Sequence, residues 1–156
     1  MVHVKICGIT NVVDAEMAID FGADALGFNF VPRTPRFLED QYAKEIMSSL
    51  LSFNEKIGVF ADEKRNRVEK LSSELGLKII QFHGNETPQE CAYFVDRGFR
   101  VIRALRVKDS SIISTVSEFE NCTILLDSFV YGKLGGTGKK FDWSLVKSLS
   151  KRKPVI

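Results

Sequence analysis

The sequence lacks both a long apolar run and an excess of charge of one sign. Its 156 residues include 22 Lys and Arg against 20 Asp and Glu, a formal charge of +2, which gives no electrostatic basis for binding nucleic acid or an anionic membrane surface. The longest apolar runs, 57–61 and 91–95, have five residues each, whereas a membrane-spanning helix needs about 20. We therefore expect no nucleic-acid partner and no membrane contact.

Cysteine is scarce as well. Three cysteines, an odd number, argue against a disulfide framework and for a reducing compartment. The opening segment MVHVKICGIT has no apolar core followed by small residues, so it does not match a secretory signal. We therefore expect a cytoplasmic protein.

Motifs that hold cofactors are also missing. The chain has two histidines, His3 and His83, and no Cys-x-x-Cys pair, so zinc-binding spacing is absent. The run Gly-Gly-Thr-Gly-Lys at 135–139 does not fit the phosphate-loop pattern, because Lys occupies positions 133 and 140. We expect no cofactor.

What the sequence does have is a regular alternation of two kinds of segment within one domain's length, 1–156. Apolar residues recur with helical period in segments such as the one containing Ala43, Ile46, Met47 and Leu50. Runs rich in β-branched and aromatic residues predict strands at 2–7, 25–30, 56–60, 78–82, 100–104 and 123–126, and a last strand that begins at Pro154 and is cut at Ile156.

The predicted helices have recognisable boundaries. Thr87-Pro-Gln-Glu is a capping box with Pro88 at the first helical position, so a helix is predicted to start there. Three glycines, Gly22, Gly76 and Gly98, stand where helices are predicted to end.

The spacing of the strands indicates the fold class. Most strands begin 22–23 residues after the previous one, and two of the intervals are about 31 residues. Strand–helix–strand alternation at this spacing predicts right-handed βαβ units and a parallel α/β sheet. A doubly wound sheet and a (β/α)₈ barrel share the pattern. The first strand is not followed by Gly-x-Gly-x-x-Gly, and a barrel needs eight units, so both architectures remain open on periodicity alone.

Polar side chains collect at the predicted strand ends, where both architectures place their chemistry. In chain order these ends carry Cys7, Asn29, Phe60, Gln81 with His83, Arg103 and Asp127. Five of the six ends present a polar or nucleophilic side chain, which is the composition of an active site assembled from several strands.

Cys7 has two interpretations. A cysteine at the end of a buried strand is commonly a small core residue, but Gly8 allows a sharp turn that would leave the thiol facing a cavity. Lys5 lies two residues earlier and points to the same face, where an ammonium would favour the thiolate. We interpret Cys91 and Cys122 as structural.

Three further side chains also have a functional and a purely structural interpretation. Asp127 is either a turn former or, because the next predicted helix starts only near Asp142, an acid opposite the thiol. His83 either bonds a substrate or is satisfied by its neighbours. Arg36, in a loop fenced by two prolines, either presents its guanidinium to a substrate carboxylate or is a solvated surface residue.

Seven motifs are specific enough to indicate a family. They are VKICGIT, GADALGFNF, PRTPRF, GVFAD, QFHGNE, LLDS and GGTGKKFDW. In this order and spacing, from Val4 to Trp143, the chain closely resembles the phosphoribosylanthranilate isomerase family of tryptophan biosynthesis.

The resemblance implies a fold and a reaction. The fold would be a (β/α)₈ TIM barrel, with 1–156 as a single C-terminally incomplete domain of about six βα units and the start of strand seven. The enzyme would be an isomerase of the intramolecular oxidoreductase, aldose–ketose type. It would convert N-(5-phosphoribosyl)anthranilate into 1-(2-carboxyphenylamino)-1-deoxyribulose 5-phosphate by an Amadori rearrangement, without a metal or organic cofactor.

The resemblance also implies residue roles. The family's general base matches Cys7, and its general acid matches Asp127. The residues expected to contact the phosphorylated substrate are Arg36, which matches the arginine facing the anthranilate carboxylate, His83, Gly8 and Gly136.

The family continues beyond strand seven into loops that bind the substrate phosphate, so two interpretations of 1–156 are open. One is an isomerase, described by a shortened sequence or completed by a second piece. The other is a non-catalytic barrel fragment that forms a homo-oligomer or needs a complementing C-terminal segment. A third possibility is a ribonucleotide-type isomerase barrel with two aspartates, and cysteine rather than aspartate after strand one speaks against it.

Overall fold

Strands and helices alternate strictly in the computed structural model, which describes residues 2–128 and 155–156. The strands are β1 (Lys5–Cys7), β2 (Ala25–Asn29), β3 (Lys56–Phe60), β4 (Ile79–Phe82), β5 (Arg100–Val107) and β6 (Thr123–Ser128). The helices are α1 (Val12–Asp20), α2 (Asp40–Ser49), α3 (Arg65–Glu74), α4 (Pro88–Val95) and α5 (Ile112–Glu118). Each of the six strands predicted up to residue 126 is therefore present.

The chain forms two compact units, Met1–Gln81 and Phe82–Ile156. In the first unit the strand order is β1-β2-β3-β4. The first three of these strands pair in parallel, and Cys7 lies opposite Gly27 in the register.

In the second unit β5 and β6 pair in parallel over six positions. Ile156 continues this pattern, because its amide donates to the Ile124 carbonyl at 2.8 Å and its carbonyl accepts from the Leu126 amide at 2.9 Å. Val155 and Ile156 therefore pair with β6 as the predicted start of strand seven would. Pro154 and the helix predicted near Asp142 lie outside the described residues.

The local signals in the sequence explain the helix boundaries. At the start of α4, the Thr87 hydroxyl accepts from the Glu90 amide at 3.2 Å, and the Glu90 carboxylate accepts from the Thr87 amide at 2.7 Å. This is the predicted capping box. The three glycines predicted at helix ends, Gly22, Gly76 and Gly98, all have positive φ.

In the first unit, strands and helices both contribute buried apolar side chains to the core. The apolar residues predicted to line one face of α2 are all buried, at 0–6% exposure. Apolar side chains of β2 and β3, such as Leu26, Phe28 and Val59, are buried as well. The rings of Phe30 and Phe60 stack at 5.3 Å between centroids. None of the described helices has the length and apolar character needed to cross a membrane.

Two strands differ from their predicted bounds. β1 begins at Lys5 rather than at residue 2, since the exposed Val4 amide donates to the Asp24 side chain instead of to a strand. β5 runs to Val107, three residues past its predicted end, because it pairs with β6 along that whole stretch. The prediction that Arg103 stands at a strand end is therefore wrong, and Arg103 lies buried in the middle of β5.

Candidate active site

Cys7 ends β1 as an exposed free thiol, whereas Cys91 and Cys122 are buried. The pKa of the Cys91 thiol is raised by its hydrogen bond to Cys122 and by burial, which keeps it protonated. Of the described cysteines, Cys7 is thus the one with the access that a reactive group needs. Burial of Cys91 and Cys122 agrees with their interpretation as structural residues.

Gly27 makes room for the Cys7 side chain. A Cβ added at Gly27 would lie 2.7 Å from the Cys7 sulfur and 3.1 Å from the Lys5 Cε. The Gly27 carbonyl also accepts from the Gly8 amide at 2.8 Å, which holds the turn that follows the thiol. Sequence reasoning missed Gly27, although a glycine inside a predicted strand is itself a sign of a close approach.

Arg36 is placed against the same turn. Its Nη1 donates to the Cys7 carbonyl at 2.9 Å, and its Cδ passes 2.3 Å from where a Gly8 Cβ would lie. Gly8 also has φ +85°, a conformation that side-chain-bearing residues rarely adopt. The structure therefore brings together three residues predicted for the site: Cys7, Gly8 and Arg36.

The loop that carries Arg36 is organised by Asn29 at the end of β2. The Asn29 side chain accepts from the Val31 amide at 2.9 Å and donates to the Thr34 hydroxyl at 3.0 Å. The Asn29 carbonyl accepts from the Leu38 amide at 2.8 Å. Asn29, a predicted strand-end group, thus shapes the loop from within.

Lys5 lies next to the Cys7 thiol and is largely buried. Burial holds the pKa of the Lys5 amine below its usual value, and charge interaction and a hydrogen bond with Cys7 act in the opposite direction. The Lys5 Nζ also donates to the Gln81 side-chain oxygen, and Gln81 is 2% exposed. The predicted same-face arrangement of Lys5 and Cys7 is therefore confirmed.

An open cavity of 550 Å³ lies alongside β1. Cys7, Gly8 and Arg36 line it together with apolar residues of α1 such as Met17. Cys7, Gly8 and Arg36 thus border a space large enough for a small molecule.

His83 and Asp127 form a second cluster, in the second unit. His83 follows β4 directly, and its Nε2 lies 3.3 Å from the Asp127 Oδ2. The other Asp127 oxygen accepts from the Ser128 amide at 2.8 Å. Arg106, opposite Asp127 in the β5–β6 register, donates to the His83 carbonyl at 3.5 Å. Two of the predicted site residues are thus in contact, and each has only about a fifth of its side chain exposed, 19% and 20%.

A buried ion pair next to the main chain around His83 was not predicted from the sequence. Glu86 and Arg103 approach to 3.3 Å, and each side chain is 6% exposed. Glu86 looks like an ordinary polar residue of a loop, and its partner is 17 positions away, so no local signal reveals the pair.

The remaining predicted site residue, Gly136, lies outside the described residues. Within 2–128 and 155–156, no group of three or more His, Cys, Asp or Glu side chains is placed to hold a metal ion.

Comparison with known proteins gives consistent results. The family model for N-(5'-phosphoribosyl)anthranilate (PRA) isomerase matches residues 4–156. The N-(5'-phosphoribosyl)anthranilate isomerase of Pelobacter propionicus is 40% identical over 156 residues, which cover 100% of this chain and 73% of that protein.

Two solved structures have the same fold. Phosphoribosyl anthranilate isomerase from Thermotoga maritima superposes with a TM-score of 0.90 at 35% identity, over 99% of this chain and 75% of that one. A phosphoribosyl anthranilate isomerase in complex with reduced 1-(o-carboxyphenylamino)-1-deoxyribulose 5-phosphate gives 0.86 at 33% identity, over 99% and 74%. The expected (β/α)₈-barrel class is confirmed, with six of its strands among the described residues.

Proposed function

Because this chain belongs to the N-(5'-phosphoribosyl)anthranilate isomerase family, we propose that it serves the Amadori rearrangement of N-(5-phosphoribosyl)anthranilate with Cys7 as general base and Asp127 as general acid. The observation that carries the proposal is the exposed thiol of Cys7, which ends a parallel strand beside the Arg36 guanidinium and the Lys5 amine. A base that must reach a substrate carbon needs both this access and neighbouring positive charge.

The acid is Asp127, supported by His83. The 3.3 Å contact between the His83 ring and one carboxyl oxygen, and the Ser128 amide on the other, fix the plane of the carboxyl group. A positioned carboxyl group delivers a proton to a substrate oxygen more effectively than a freely rotating one, because its orientation is set before the reaction.

The rearrangement needs one proton donor and one proton acceptor. Asp127 in its acid form protonates the ring oxygen of the ribose, the C1–O bond breaks, and the amine nitrogen forms a protonated imine. The imine acidifies the C2 proton, which the Cys7 thiolate removes to give an enolamine. Return of the proton from the Cys7 thiol to C1 of the enolamine, together with loss of the C2 hydroxyl proton, gives the ketone product. The hydroxyl proton replaces the one that Asp127 gave to the ring oxygen, so no atom is gained or lost.

Arg36 is proposed to bind the anthranilate carboxylate. Its Nη1 is engaged with the Cys7 carbonyl at 2.9 Å, and a guanidinium with several donors can hold a main-chain oxygen and a carboxylate at once. Gly8 would then serve the substrate by letting the Arg36 side chain cross its backbone. Gly136 stays a predicted substrate contact.

Two substitutions test the roles directly. In Cys7→Ser and Asp127→Asn, turnover of N-(5-phosphoribosyl)anthranilate should fall by about 10²–10⁴-fold each while the circular dichroism spectrum is retained. Suitable controls are Cys91→Ala, which removes a buried thiol, and Asp109→Asn, which removes an exposed carboxylate of the second unit. Turnover near the unsubstituted level in either site variant would refute its role.

Three expectations from the sequence stay predictions. They are the cytoplasmic location, the homo-oligomer and the complementing C-terminal segment.

A further inference from the structure

The buried pair of Glu86 and Arg103 is unusual among the ion pairs of the described residues. Each side chain is 6% exposed, whereas the partners in the Arg67–Asp40 pair are 40% and 41% exposed. Removing two charges from water is costly unless other hydrogen bonds satisfy them. The groups that satisfy this pair therefore indicate what it holds in place.

One of those groups is the Ala104 carbonyl on β5, which accepts from Arg103 Nη1 at 2.9 Å. The other groups named here lie on both sides of His83. On one side, Arg103 Nη1 donates to the Phe82 carbonyl at 3.1 Å. On the other side, Arg103 Nη2 donates to the Gly84 carbonyl at 3.0 Å, and Glu86 Oε2 accepts from the Gly84 amide at 2.9 Å. The main chain is thus gripped immediately before and immediately after His83.

These hydrogen bonds hold the main chain from which the His83 side chain extends. With residues 82 and 84 held, the ring reaches Asp127 at 3.3 Å. A shift of the 82–84 backbone by about one ångström away from Asp127 would lengthen this contact beyond hydrogen-bonding distance.

We propose that Glu86 and Arg103 are positioning residues, which act on the reaction by holding His83 against Asp127. The inference rests on the proposed function for its effect on turnover. The effect on the orientation of His83 does not depend on the proposed function and can be measured separately.

The test replaces both charges together, in Glu86→Met with Arg103→Met. Exchanging a buried ion pair for apolar side chains of similar size often leaves stability intact, but here it frees the main-chain groups around His83. We expect kcat to fall by about 10–100-fold, the range typical of outer-shell positioning groups, with a smaller change in KM.

The orientation of His83 is followed by NMR of its ring protons. The sequence has two histidines, so a His3→Gln variant assigns both ring signals. We expect the His83 signal to move in the double variant and the signal of His3, in the first unit, to stay where it was.

The matched control is the exposed pair, in Asp40→Met with Arg67→Met. It removes an ion pair whose oxygens and nitrogens lie 2.9 Å apart and which joins α2 to α3 in the first unit. This control should leave kcat and the His83 signal unchanged.

A folded Glu86/Arg103 double variant with unchanged kcat and an unchanged His83 signal would overturn the inference. If the double variant does not fold, Glu86→Asp decides by the same two measurements, because it keeps the charge and withdraws the carboxylate from the Gly84 amide. If the unsubstituted protein shows no isomerase activity, the proposed function fails, and the His83 signal alone still tests the positioning role.

Discussion

The two compact units hold their functional groups in opposite ways. In the first unit the Cys7 thiol is exposed, and its surroundings are defined by missing side chains at Gly8 and Gly27. In the second unit His83 and Asp127 are mostly covered, and the buried Glu86 and Arg103 bind the main chain on both sides of His83. Around Cys7 the glycines leave open space, whereas around His83 and Asp127 hydrogen bonds hold the polar groups in place.

The difference follows from the two tasks proposed for these clusters. A thiolate that removes a proton from carbon needs access and a nearby positive charge, which a glycine-lined strand end with Lys5 provides. A carboxyl group that donates a proton needs a fixed orientation, which a network of satisfied polar groups provides. The same contrast predicts how each unit responds to substitution.

The largest expected effect is the loss of one partner of the buried pair. Glu86→Ala leaves the Arg103 charge buried without its carboxylate, which typically costs about 3–5 kcal/mol of unfolding free energy. The exposed counterpart in the first unit, Asp40→Ala, should cost about 0.2–1 kcal/mol. Urea denaturation of the two variants measures both losses of unfolding free energy. Equal losses would show that the two ion pairs do not differ in their contribution to stability.

The next largest effect is expected from a substitution that fills the space beside the Cys7 thiol. In Gly27→Ala the new methyl group would lie 2.7 Å from the Cys7 sulfur, so the thiol must move. We expect kcat to fall by about 10²-fold, the scale associated with a displacement near one ångström.

Gly58→Ala is the matched control for this glycine. Its added Cβ would lie 2.8 Å from the Leu77 side chain and 2.9 Å from the Phe60 ring, an equally tight clash in the same unit but within the core. It should lower the melting temperature and leave kcat nearly unchanged. A similar fall in kcat in both variants would show that general strain, and not the thiol position, explains the effect of Gly27→Ala.

A smaller effect concerns the charge beside the thiol. In Lys5→Met the amine next to Cys7, whose positive charge is proposed to assist the thiol, is removed, so alkylation of Cys7 by iodoacetamide should slow several-fold at neutral pH. Burial holds the pKa of Lys5 below its usual value, so the ammonium is lost as the pH rises through that lowered pKa. The difference between the variant and the unsubstituted protein should therefore narrow as the pH rises.

Lys56 offers a control of the same kind. Lys56 is the first residue of β3, and burial also lowers the pKa of its amine. Its Nζ donates to the Leu50 carbonyl at 2.9 Å. Alkylation of Cys7 should be as fast in Lys56→Met as in the unsubstituted protein. Superimposable alkylation curves for Lys5→Met and Lys56→Met would end the proposed influence of Lys5.

Local signals were enough to predict most of the fold. The strands are short apolar runs, and the start of α4 has its capping box in consecutive residues, Thr87 to Glu90. The end of β5 could not be predicted in this way, because Arg106 looks like a polar residue of a loop. Its place inside the strand depends on a partner elsewhere in the chain, the His83 carbonyl.

The candidate site divides along the same line. Cys7, His83 and Asp127 could be predicted as candidates because reactive side chains at the ends of parallel strands are visible in the sequence. Gly27 and Glu86 were not found, because the importance of each depends on what lies next to it in space. The thiol opposite Gly27 and the Gly84 amide beside Glu86 become evident only from register and distance.

The smallest expected effect belongs to the exposed Asp40–Arg67 pair and has a definite pH dependence. Hydrogen bonds from Arg67 lower the pKa of Asp40 below its ordinary value of 3.8. The unfolded chain therefore binds more protons between the lowered and the ordinary pKa, so the stabilisation by Asp40 is present above the ordinary value and is lost as the pH falls through the lowered one. Asp40→Asn should cost about 0.5 kcal/mol of unfolding free energy at pH 7, because both partners are more than a third exposed and solvent screens them. This cost should vanish in acid.

Salt provides a second test of the same pair. At 1 M salt the cost of Asp40→Asn should also shrink, since the Debye length falls to about 3 Å, whereas the cost of Glu86→Ala should persist because that pair is shielded from solvent. A cost for Asp40→Asn that stays constant from pH 7 to pH 2, or that resists salt, would show that the exposed pair of the first unit is not governed by solvent as this contrast requires.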